Sequence, residues 1–310
     1  MSGKVMSQEI RDALAAFQEE NGYTLRQVGA RIGRSEAYVS RYLNGKAEGD
    51  VAAFERAVED MLRNDRRKRS WGDVYFGTAA VDTCHAVFDI IREASDIGLV
   101  HGAAGIGKTT ACRKYAEENS TVIFFTCTEG NGRIGGIVSG IASGIDMRKW
   151  NPNAVKKAQF VTEKLNGSGR LIIIDNAQRV TLGGLRFLFD LHDGTGVSVA
   201  LVGNPEVLDR ISGNDQMTSR IGLKQDVGAM TGARWLDKAA DSMVAAMWPE
   251  AAADIRQLAR EGARKQGHLR TLNKQLKIAI RLCESPDYAG NCAKAFVAAR
   301  HMIGADASDE

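Results

Sequence analysis

The sequence predicts an α/β core with a parallel sheet, preceded by an all-α helix-turn-helix domain and followed by a small all-α domain. Three observations predict this. Between residues 78 and 228, short apolar runs alternate with helical patterns, whereas before 65 and after 229 the apolar spacing is helical only. Residues Gly102 to Thr110 read GAAGIGKTT, the spacing of a phosphate-binding loop between a strand and a helix. The segments are then 1–65, helix-turn-helix; 66–77, a basic linker; 78–228, the nucleotide core; 229–303, the helical end domain; and 304–310, a tail.

Bulk composition sets limits. A chain of 310 residues with 44% hydrophobic and 25% charged residues has room for several packed domains. The net charge of +3 is nearly balanced, so any nucleic-acid footprint must come from local clustering. No stretch has the ~18 uncharged apolar residues of a membrane span, and the start lacks the apolar core of a signal peptide. The expectation is no membrane contact and a cytoplasmic setting. Cys84, Cys112, Cys127, Cys283 and Cys292 show no C-x-x-C spacing and are expected to be reduced, mostly buried thiols.

In the first segment, Thr24 to Ile32, Gly33, and Ser35 to Leu43 resemble a helix-turn-helix of the phage-repressor type. Gly29 is small where two helices would cross, and Ser35 can cap the second helix. Val28, Ile32, Val39 and Leu43 would bury the inner face. Ser35, Glu36, Ala37, Tyr38 and Arg41 would then meet the major groove of double-stranded DNA. A small helical protein-interaction domain is the alternative. The run Arg66-Arg67-Lys68-Arg69 reads either as a solvated linker or as an arm on DNA phosphates.

In the core, the apolar runs 97–100, 122–125, 171–174 and 197–202 read as parallel strands covered on both faces, with a weaker fifth near 221–227. The loop Gly102, Ala103, Ala104, Gly105, Ile106, Gly107, Lys108, Thr109, Thr110 can wrap phosphates with backbone N–H groups. Lys108 would reach the β/γ-phosphates and the Thr109 hydroxyl would ligate Mg2+. Leu171 to Asp175 ends four apolar residues with an acid, placing Asp175 to hold the metal through water. Asn176 follows; an amide orients water but cannot take a proton at neutral pH, so slow hydrolysis is expected.

The last segment reads as helices over 237–247, 250–266, 269–284 and 290–302. Arg256, Arg260 and Arg264 share one helix face, and Lys274, Lys277 and Arg281 share another. Either stripe could touch phosphates or stand as a solvated face.

In order and layout these motifs resemble the AAA+ ATPases, most closely the branch that serves transposition in Mu-like phages. The likeness runs over nearly the whole chain. It implies that Asn204, in Val202-Gly203-Asn204, is the sensor-1 residue beside the γ-phosphate, and that Arg220, in Ser219-Arg220-Ile221, is an arginine finger reaching a neighbouring subunit's nucleotide. It implies that Arg270, in Gly267 to Asn273, is the sensor-2 residue facing the phosphates. The catalytic set is then Lys108, Asp175, Asn176, Asn204, Arg220 and Arg270, with glutamate the family's usual residue where this chain has Asn176. The implied cofactors are ATP and Mg2+. The implied partners are double-stranded DNA, a Mu-like transposase and further copies of the chain in an ATP-dependent oligomer or filament. The implied setting is the bacterial host cytoplasm, at the nucleoid. The activity would be ATP-dependent, largely non-sequence-specific DNA binding that delivers target DNA and stimulates strand transfer. An ATP-gated transcriptional regulator and a helicase-loader ATPase are the alternatives.

Overall fold

The structure, a computed structural model, describes residues 7–70, 76–145 and 153–304, without the side chains of 66–70 and 154. The chain divides into two compact units, Met1–Asp73 and Val74–Glu310.

The first unit contains α1 (Gln8–Asn21), α2 (Leu25–Ile32), α3 (Glu36–Leu43) and α4 (Val51–Ser70). Each start has a side-chain acceptor for an orphan N–H. Ser7 accepts from Ile10, Ser35 from Tyr38 and Asp50 from Ala53, while Thr24 and Gln27 form a reciprocal capping box. Leu14, Phe17, Val28, Val39, Tyr42, Phe54 and Val58 fill the core. Ile32 and Leu43, expected in it, are half-buried at its margin. One buried carboxylate ties three helices together: Glu55 accepts from the Tyr42 hydroxyl at 3.0 Å and from the Ser7 N–H at 2.7 Å. The basic run 66–69, expected as linker, instead continues the backbone of α4, since nothing in Asp65 to Ser70 breaks a helix. The side chains of Arg66, Arg67, Lys68 and Arg69, residues 71–75 and the tail beyond 304 lie outside the described residues.

The second unit begins with α5 (Ala79–Ala94) and β1 (Ile97–His101), followed by α6 (Lys108–Glu118) and β2 (Val122–Thr126). Next come α7 (Ile134–Gly144), α8 (Ala154–Leu165), β3 (Leu171–Asp175), α9 (Leu182–Thr195) and β4 (Ser198–Gly203). The core closes with α10 (Glu206–Ser212), α11 (Asp215–Thr218) and β5 (Ile221–Asp226). The strands pair in parallel in the order β2-β3-β4-β1-β5. Alternate strand residues serve opposite faces. Leu99, Ile172, Ile174 and Leu201 meet α7 to α10, while Val100, Ile173, Ala200 and Val202 meet α5 and α6. Burial on both sides explains why these runs read as continuously apolar.

The end domain holds α12 (Ala233–Met247), α13 (Ala253–Arg264), α14 (His268–Cys283) and α15 (Cys292–Met302). The arginine stripe on α13 is engaged within the fold. Arg260 grips Asp241 through two hydrogen bonds of 2.9 and 2.8 Å, and Arg264 grips Asp237 in the same two-pronged way. Both partners recur at four-residue spacing, so the pairs form a ladder between α12 and α13. Arg256 donates to the carbonyls of Ala251 and Pro249. Of the five cysteines, expected mostly buried, Cys283 and Cys292 are half-buried neighbours. The turn between α14 and α15 brings Cys283 and Cys292 to a Cα separation of 5.0 Å, within reach of a disulfide. Cys84, Cys112 and Cys127 are free and buried.

Gly29 offers a direct check of the helix crossing in the first unit. A Cβ there would lie 2.5 Å from the Arg34 carbonyl oxygen, a backbone atom that cannot swing aside. Alanine would gain up to about 1 kcal/mol of helix propensity, but overpacking costs about 1–3 kcal/mol. Gly29→Ala is therefore expected to lower the melting temperature of this unit, read by thermal denaturation; a raised midpoint would contradict the crossing.

Candidate functional site

Parallel pairing sends the carboxyl ends of β1, β3 and β4 to one edge of the sheet. That edge carries the loop 102–107, Asp175 with Asn176, and Asn204. The loop turns through Gly105 and Gly107 at φ of 87° and 104°, a region that disfavours side chains. It delivers Lys108 as the first residue of α6, whose N-terminal N–H groups and dipole suit an anion. Gly102 and Ile106 are buried, Ala103 is half-buried, and Ala104 and Thr110 are exposed.

Lys108 is itself buried, and its Nζ donates to the carbonyls of Gly102 at 2.8 Å and Ala103 at 2.7 Å. Burial holds its ammonium below the ordinary lysine pKa, against the opposing pull of Cys84 and Asp175. The Thr109 hydroxyl donates to both Asp175 oxygens, at 3.2 and 3.0 Å. Burial raises the Asp175 pKa, while the bonds from Thr109 and the Asn176 N–H pull it down. A hydroxyl and a carboxylate in contact beside a glycine loop are a donor set that fits Mg2+, which takes one or two protein ligands and completes its shell with phosphates and water. Among the described residues no group of three His, Cys, Asp or Glu gathers as an all-protein metal site.

The end domain reaches the loop directly. A Cβ on Gly105 would overlap the Gly267 carbonyl and lie 3.5 Å from the Arg270 Cβ. Arg270, exposed near the start of α14, is thus beside the loop. Arg220 is not brought there. The register Ile97↔Ile221 sets it at the amino end of β5. The loop lies beyond the far end of β1, about 16 Å away along a five-residue strand. Its guanidinium faces Asp193 at 3.2 Å and Asp190 at 3.9 Å, both on α9.

Asn176 adopts φ 56° and ψ 43°, left-handed backbone that asparagine tolerates better than most residues. Gln178, which sequence reasoning missed, connects it to Asn204. The Gln178 Nε2 donates to the Asn176 Oδ1 at 3.5 Å, and its Oε1 accepts the Asn204 N–H at 3.2 Å. A buried glutamine between Ala177 and Val180 was the available signal, but its partner on β4 is distant in sequence.

On α3, Glu36, Ala37 and Arg41 are exposed and Ser35 is the cap. Tyr38 departs from its expected place on the outer face. Its ring packs 5.1 Å from Phe54, and its hydroxyl is enclosed without a partner among the described residues. Burying the aromatic ring against the core outweighs leaving it in solvent.

The Asp175 environment predicts a trade of stability against binding. Because the native pKa is raised, folding favours the protonated form. This group's contribution to stability therefore falls as pH climbs from the ordinary aspartate range through the native value, leaving a net cost at neutral pH. Asp175→Asn is expected to raise the melting midpoint of the nucleotide-free protein, while abolishing Mg2+-dependent nucleotide binding. A lowered midpoint would refute the electrostatic account.

Comparison with known proteins follows the same division. Residues 91–211 match the AAA domain family, and residues 9–63 match a helix-turn-helix domain family. Over 283 residues the chain is 25% identical to the ATP-dependent target DNA activator B of Escherichia phage Mu, spanning 87% of this chain and 88% of that protein. It is 23% identical over 193 residues to the Mu-like prophage FluMu DNA transposition protein B of Haemophilus influenzae, spanning 61% and 67%. RuvB of Thermotoga maritima overlays on 74% of this chain and 70% of that one at 15% identity and a TM-score of 0.49. The chain therefore carries an AAA domain with a parallel sheet, an amino-terminal helix-turn-helix domain and a helical carboxyl-terminal region, in a sequence homologous over most of its length to the Mu-type target DNA activators.

Proposed function

We propose that this protein is an ATPase that binds double-stranded DNA in an ATP-dependent, largely sequence-independent way, assembles on it, and presents it to a Mu-like transposase to stimulate strand transfer. The observation that carries this reading is the packing of the phosphate loop against the end domain at Gly105 and Gly267, with Arg270 alongside. Occupancy of the loop is thereby coupled to the placement of α14. The homology to target DNA activators supports the role in transposition.

The residues divide the work. The loop's N–H groups, Lys108 and the N-terminus of α6 bind the phosphates of ATP, and Thr109 with Asp175 holds Mg2+. Bound Mg2+ neutralises phosphate charge. Arg270 and Asn204 read the nucleotide from within the chain. Arg220, on the opposite edge of the sheet, serves a neighbouring copy, and its contacts with Asp190 and Asp193 are exchanged for that nucleotide on assembly. Those contacts are exposed and weak, so the exchange costs little. Assembly multiplies modest phosphate contacts from Arg41 and the 66–69 run by avidity. Asn176 cannot accept the proton of an attacking water, so hydrolysis is slow and acts as the reset. The protein works in the host cytoplasm at the nucleoid; among the described residues no helix is long and apolar enough to cross a membrane.

Electron microscopy with long duplex DNA tests the assembly. Filaments are expected with ATP and not without it, and dispersed dimers in both conditions would favour an operator-reading regulator. Arg220→Ala is expected to keep nucleotide binding and lose the filaments. Asn176→Glu tests the slow reset: the steady-state phosphate release rate is expected to rise. The melting midpoint should fall, because a left-handed glutamate costs about 1–2 kcal/mol. An unchanged rate would remove Asn176 from the catalytic position.

A further inference from the structure

We infer that Gln178 is a positioning residue that fixes the Asn176 side chain as a hydrogen-bond donor to the terminal phosphate of the bound nucleotide, making this position a reader of ATP over ADP. The inference rests on the nucleotide-binding reading above and deepens it.

One bond at Gln178 has a fixed direction. The Asn204 N–H is a backbone donor, so the Gln178 atom 3.2 Å away must be its carbonyl oxygen, Oε1. That orients the whole amide and turns Nε2 toward Asn176. An Nε2 donor requires an acceptor, so the Asn176 atom facing it at 3.5 Å is Oδ1. With Oδ1 held, Asn176 has its Nδ2 donors left to offer. A donor suits an anionic oxygen and cannot activate water as a base. Three features maintain the relay. Gln178 is buried, so solvent competes weakly for its amide. Asn176 is held in the left-handed turn that starts the short 3-10 segment Ala177–Arg179. Gly203 leaves room for the amide: a Cβ there would lie 2.6 Å from the Gln178 Oε1.

The test uses the full chain and competition binding with ADP and the slowly hydrolysed analogue ATPγS. Gln178→Glu keeps an acceptor for Asn204 but loses the donor to Asn176. It is expected to weaken ATPγS binding roughly fivefold, the scale of one hydrogen bond, while ADP binding stays unchanged. Gly203→Ala, which introduces no charge and displaces the same amide, is expected to shift the ratio in the same direction. In an Asn176→Ala background, Gln178→Glu should have no further effect, since the relay has lost its target. Additive losses in the double variant, or equal losses for both nucleotides, would overturn the relay while leaving the nucleotide site standing. Failure of the unmodified chain to bind either nucleotide would remove the relay together with the function beneath it.

Discussion

The Asp175 carboxylate ends a strand buried on both faces, where ionisation is opposed by the loss of water. Its charge is sustained there by the Thr109 hydroxyl and the Asn176 N–H, so three segments must arrive together: the start of α6, the end of β3 and the left-handed turn after it. Each arrival has its own requirement. The helix is delivered by a loop that needs glycine at 105 and 107, the strand end is set by parallel pairing with β4, and the turn needs a residue that accepts positive φ. The site is in this sense a desolvation problem solved by local geometry.

The same loop is also the point where the end domain meets the core. Gly105 is tight because Gly267 lies against it, and Gly267 precedes the helix that carries Arg270. The end domain is stiffened next to this contact by the Arg260–Asp241 and Arg264–Asp237 pairs between α12 and α13. These arginines are therefore structural ties. Their bidentate geometry joins two helices whose apolar faces, with Leu236, Ala240, Ile255 and Ala259, already pack together. Of the basic stripes, the one on α14 leaves Lys274 and Arg281 exposed.

In the first unit, the economy is different. The second and third helices have only eight residues each and would be marginal alone. Caps at Thr24 and Ser35, the close crossing at Gly29 and the shared acceptor Glu55 hold them in place. Packing Tyr38 inward enlarges a core that a unit of this size needs. The outer face of α3 then presents Glu36, Ala37 and Arg41.

Elements whose physics is local are legible in the residues alone. The phosphate loop is legible from glycine spacing. The strands are legible because burial on both faces demands continuous apolar runs, and the helices of both flanking domains from their apolar period and caps. The position of Asp175 at a strand end is legible too, because a single acid after four apolar residues has few other positions. Packing between distant segments set the rest. It assigned the α13 arginines to Asp237 and Asp241, turned Tyr38 onto Phe54, brought Cys283 beside Cys292 and extended α4 through the basic run. It also linked Gln178 to Asn204 across two strand ends and set Arg220 on the edge away from its own loop. Charge and aromatic side chains look alike in sequence whether they face solvent or a partner, because the partner is chosen by how distant segments pack.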